Sequence, residues 1–120
     1  MIERNMIDSG NRALVEASRF WLLHEDELTR ARTWKLAAHA RRKLAARMFE
    51  LGDEVMAQHL GLMAKVADLH VGTHLKLAED ALEEARAFEI RSRINYEEAR
   101  DHRQRVESRC DDDIDPSFRR

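Results

Sequence analysis

The sequence predicts an all-α protein: an antiparallel helical hairpin or three-helix arrangement with a long C-terminal helix and coiled-coil-like packing. Three observations predict it. The 120 residues contain one proline and four glycines, and aromatic residues are 6%, which excludes an all-β sandwich with its many turns and β-branched strands. No proline or glycine interrupts the stretch from Asn11 to Leu51. From Ala57 to Phe88, small and apolar residues recur in alternating steps of three and four.

That last stretch organises the chain. Ala57, Leu60, Ala64, Ala67, Val71, His74, Ala78, Ala81, Ala85 and Phe88 form a seam, with Met56, Met63, His70 and Leu77 in a row beside it. A seven-residue period keeps such a seam turned toward a neighbour and favours near-parallel packing. Alanine offers little apolar area. At about 25 cal/mol per Å² the seam implies a modest core needing more than one partner helix. Leu51-Gly52-Asp53 places a glycine after one helix and a capping aspartate before the next. Gly61 and Gly72 each cost about 1 kcal/mol inside a helix, but the seam keeps its phase across both, so the helix is expected to continue.

The segment GDEVMAQHLGLMAKVAD, with Gly52, Ala57 and Ala64 and with Leu44 and Ala45 upstream, resembles the second half of a tetratricopeptide repeat. Arg41 stands where that repeat has an aromatic, Leu69 where it has a proline, and no second copy follows. The likeness covers about a quarter of the chain with generic residues. It supports a tight helix-turn-helix and is not taken as membership; the resemblance itself would imply peptide binding in a groove.

Upstream, residues 1–10 read as irregular. A single helical domain is expected over 11–110, with helices near 11–24, 27–50 and 53–109 and a turn at 51–53. Leu14, Ala17, Trp21, Leu28, Ala31, Ala38, Ala45 and Phe49 suggest one apolar face through the first half, but Lys35 and Arg42 interrupt it, and a bend near His24–Glu27 is expected. Past Phe88 the seam thins to Ser92, Asn95, Ala99, His102 and Val106. A row of Glu89, Arg93, Glu97, Asp101, Arg105 and Arg109 adds charge pairs of about 0.2–0.5 kcal/mol each. Residues 111–120 read as a disordered acidic tail.

Charge bounds the partners. The net charge is −2 with 37% charged residues, so any nucleic-acid argument has to be local. Arg30, Arg32, Lys35, Arg41, Arg42, Lys43 and Arg47 form a run without an acidic residue, a candidate surface for nucleic acid or a protein partner. Arg41, Arg42 and Lys43 fan around the helix, and a solvated face that pairs with acidic groups is the commoner reading. If the chain folds back at Gly52, residue i lies opposite about 104 − i. That register sets Glu25, Asp26 and Glu27 near Glu79, Asp80, Glu83 and Glu84, an acidic lobe beside a basic one.

His70 and His74 have the four-residue spacing with which a helix presents two imidazoles to a transition metal such as zinc or iron. His59 is about 16 Å away along the helix and would join them only from another subunit or after a break at Gly72. No carboxylate ligand pattern accompanies them, so seam histidines bonded to a partner helix are the commoner reading. Trp21, Trp34, Phe20 and Phe49 at helical spacing read as core. No phosphate loop, nucleophile elbow or acid–base pair is present, so the expectation leans away from an enzyme, and no cofactor is expected.

A single cysteine, Cys110, and the absence of an apolar leader or membrane-length run point to a cytoplasmic setting. The expected function is a non-enzymatic helical interaction or assembly module (adaptor, chaperone-like or structural component) that forms a homodimer or larger bundle. A metal-binding bundle using His59, His70 and His74 and a nucleic-acid-binding helix are the alternatives.

Overall fold

A computed structural model describes residues 2–113, with side chains over 2–109. The protein is an antiparallel hairpin of two long helices, α1 (Ile2–Glu50) and α2 (Glu54–Asp113). The expected irregular start, short first helix and bend near His24–Glu27 give way to one unbroken α1. Of the expected tail, 111–113 belong to α2, and 114–120 lie outside the described residues.

The turn has a definite chemistry. Gly52 adopts φ +84°, the left-handed conformation that glycine enters without a Cβ penalty. Its N–H donates to the Phe49 carbonyl, and the Asp53 N–H donates to the Met48 carbonyl at 2.9 Å. Two of the last carbonyls of α1 are thereby satisfied. Asp53 then caps α2: its Oδ1 accepts from the Met56 N–H at 3.1 Å, and its carbonyl accepts from Ala57.

Two compact units are built on these helices, Phe20–Glu83 on one hand and Met1–Arg19 with Glu84–Arg120 on the other. In the first, the α2 seam is buried as the sequence predicts, at Leu60, Ala64, Ala67, Ala78 and Ala81, with Val71 and His74 half-buried. The α1 side differs from the expected face. Ala31 and Ala38 are buried, but the contact row is His24, Glu27, Ala31, Trp34, Ala38, Arg41, Ala45 and Met48, while Trp21 and Phe49 are exposed. Trp21, Leu28 and Phe49, expected at the contact, lie about one position around the helix from it, and of the large apolar residues Trp34 and Met48 stand in the contact row.

In the second unit the contact row of α1 is Gly10, Ala13 and Ala17, and that of α2 is Ala85, Ser92 and Ala99. Leu14, expected in the core, is exposed. Gly10 is required by a close approach: a Cβ there would stand 2.9 Å from Tyr96 Cε1. The Tyr96 hydroxyl donates to Asn11 Oδ1, which fixes the ring over that glycine. Arg103 pairs with Glu3 at 3.3 Å.

Among the described residues, Leu60 is the only large apolar side chain in the buried core; the rest is alanine. Small residues let helix axes approach closely, and they bury little area each. Among the described residues no helix is long and apolar enough to cross a membrane.

Candidate functional site

The Phe20–Glu83 unit carries a polar layer within its alanine seam. The seven-residue spacing of α1 brings His24, Glu27 and Trp34 to the contact row, and that of α2 brings His74 to it, with His70 alongside. Glu27 is 4% exposed. Its Oε2 accepts from His74 Nδ1 at 2.5 Å, and its Oε1 accepts from Arg30 at 2.8 Å. One carboxylate thus takes a donor from each helix, which is what a buried charge requires. One turn earlier in α1, His24 Nδ1 donates to the Ala78 carbonyl at 2.7 Å. An acceptor faces Nδ1 in both histidines, so Nδ1 carries the hydrogen in each.

The hydrogen bond from His74 holds the Glu27 carboxyl below its ordinary range. Burial opposes this, and the positive charge of Arg30 adds to the lowering. The layer can therefore keep a buried anion in register between two helices.

Within one chain the three histidines have different surroundings. His74 is held by Glu27, and His70 stacks on Trp34 with ring centroids 4.2 Å apart and planes at 16°. His59 is exposed, three turns of α2 before His70. Among the described residues no group of three or more His, Cys, Asp or Glu is placed to hold a metal ion.

The basic run is also divided. Arg30 is committed to Glu27 and Arg42 to Asp68. Arg41, half-buried in the contact row, reaches the Met63 carbonyl at 3.4 Å. Arg32 and Lys35 border an open groove of about 500 Å³ floored by Leu28, Ala31, Val71 and Leu75, with Asp68 and Gly72 completing it. Lys43 and Arg47 are exposed. The acidic lobe loses Glu27 to the seam, while Glu25, Asp26, Glu79, Asp80, Glu83 and Glu84 are exposed.

Glu27 and His24 were hidden to a reading that followed the largest apolar residues. The signal was the exact seven-residue repeat of Gly10, Ala17, His24, Ala31, Ala38 and Ala45 with Ala13, Phe20, Glu27, Trp34, Arg41 and Met48. The remaining feature is what the hairpin leaves uncovered. Leu36, Val55, Leu62, Val66, Leu69, Leu75 and Leu77 are all exposed within this unit. No family model, curated protein or solved structure matches the chain.

Proposed function

We propose that the protein is a non-enzymatic helical assembly module that acts as a homo-oligomer, most simply a dimer of hairpins packed as a four-helix bundle. One observation carries the reading: among the described residues the buried apolar core is alanine apart from Leu60, while many large apolar side chains lie outside it. The chain exposes 9495 Å². A folded monomer of 14.1 kDa is expected to expose about 6,700 Å². The exposed cations of α1, including Arg32, Lys35, Lys43 and Arg47, supply a separate surface suited to an acidic protein partner.

The test is the concentration dependence of thermal unfolding. An assembly whose folded form is oligomeric gains stability by mass action. The unfolding midpoint is expected to rise between roughly 1 and 100 µM protein, ranges that bracket common dissociation constants. A midpoint independent of concentration, with a monomer mass throughout, contradicts the proposal.

A further inference from the structure

Between Val55 and Leu77, α2 is apolar on more than the side that meets α1. Its seam faces α1, and Met56, Met63, His70 and Leu77 flank that seam. A further stripe, Val55, His59, Leu62, Val66, Leu69 and Thr73, recurs in alternating steps of four and three on the far side of the helix. Its four aliphatic members are between 51% and 80% exposed. Thr73 turns its hydroxyl back to the Leu69 carbonyl at 3.1 Å, which leaves its methyl group for packing. A helix with two apolar faces, parted here by Gln58, Lys65, Asp68 and Lys76, has one more than a two-helix hairpin can cover. On the corresponding turns of α1 the exposed apolar residues Leu36, Leu44 and Phe49 are interspersed with Arg32, Lys35, Arg42, Lys43 and Arg47 and form no continuous stripe.

The charges at the ends of the stripe identify its occupant. Beside the N-terminal end stands Glu54, and beside the C-terminal end stands Lys76. Antiparallel self-packing sets each acidic end against the lysine of the other copy. Parallel packing would set like charge on like, which is unfavourable. Resting on the assembly reading above, we propose that this stripe is the docking surface for a second copy, α2 against α2 antiparallel about a two-fold axis between Leu62 and Val66. The contact spans about 27 Å, from eighteen residue steps of 1.5 Å. It is isologous, the arrangement that closes a dimer and leaves no open end.

Four variants and one control test it, all in the full chain. Leu62→Lys and Leu69→Lys place a charge in the contact and are expected to weaken self-association on the order of 100-fold, as hot-spot substitutions do. Leu36→Lys on α1 is the control and is expected to leave the dissociation constant unchanged. Lys76→Glu is expected to weaken association several-fold, and adding Glu54→Lys to it to restore affinity, a rescue that parallel pairing would not give. Sedimentation reads the dissociation constant, and circular dichroism verifies helicity. If a lysine variant loses helicity, a cysteine cross-link decides: in a Cys110→Ser background, Leu62→Cys mixed with Val66→Cys is expected to form the heterodisulfide under mild oxidation. A dimer that survives both lysine variants, dissociates with Leu36→Lys, or yields no such cross-link overturns this face and leaves the assembly reading standing. A wild-type chain that is monomeric overturns both.

Discussion

Glu27 Oε2 lies 2.5 Å from His74 Nδ1, and this contact joins the two helices inside a seam that is otherwise mostly alanine. Alanine contacts are nearly interchangeable, so a one-turn slip of α1 along α2 would lose little apolar burial. It would leave the buried carboxylate without its imidazole. The pair therefore acts on register more than on net stability, the best-attested use of buried polar groups.

The first prediction concerns acid. The Glu27 carboxyl is lowered in the folded state from 4.5, chiefly by the His74 hydrogen bond. A lowered carboxyl contributes stability that is fully present above the unfolded value and is lost as pH falls through the folded value. Glu27→Gln is expected to flatten the acid limb of the stability profile below about pH 4.5, the ordinary carboxyl range. Urea midpoints measured from pH 3 to pH 6, on wild type and variant, check it. A double-mutant cycle with His74→Ala is expected to show coupling between the two positions.

The second concerns the closeness of the seam. Ala67 is fully buried where the helices meet. Ala67→Leu is expected to cost about 1–3 kcal/mol through overpacking, even though leucine is the more apolar residue. Denaturant unfolding measures it, and an increase in stability would contradict a close approach of the helices at Ala67.

Two glycines make a paired prediction with opposite signs. Gly10→Ala drives a methyl to 2.9 Å from the Tyr96 ring, and a net loss of about 1–2 kcal/mol is expected once the alanine helix preference is set against the clash. Gly61 has nothing within 4 Å of where its Cβ would sit. Gly61→Ala is therefore expected to gain about 1 kcal/mol from helix preference. Thermal unfolding of both variants at one protein concentration gives the comparison.

The turn gives the next. Gly52 holds φ +84°, so Gly52→Ala is expected to cost about 1–2 kcal/mol from its Cβ, although open space surrounds it. The loss is one of backbone conformation, and Gly52→Asn is expected to recover part of it, since asparagine tolerates this region. Equilibrium unfolding of the two variants separates them.

How much of this was legible in the sequence follows from where the large residues sit. The α2 seam was readable because its row held its phase from Ala57 to Phe88 and no competing row was more regular. The register was readable from helix rise alone: Trp34 meets His70 and Arg41 lies near Met63, as a fold-back at Gly52 requires. The α1 face was misplaced for a physical reason. Closely packed helices want small side chains at the contact, so the contact row is Gly10, Ala13, Ala17, Ala31 and Ala38, and the neighbouring row with Leu14, Trp21 and Leu28 is the more hydrophobic one. Lys35 and Arg42 interrupt only that neighbouring row, so the bend they suggested does not occur. The histidines at four-residue spacing were visible, but spacing within one helix cannot reveal that the other helix supplies Glu27 to one and Trp34 to its neighbour.

On the proposed assembly, a hairpin cored mostly by alanine, with most of its large apolar side chains outside the core, pairs with a second copy. The most direct measurement is the mass of the full chain by sedimentation equilibrium at micromolar concentration. The account predicts about twice 14.1 kDa, with dissociation on dilution if the association is weak. A single species at 14.1 kDa, folded and cooperative at every concentration, contradicts it.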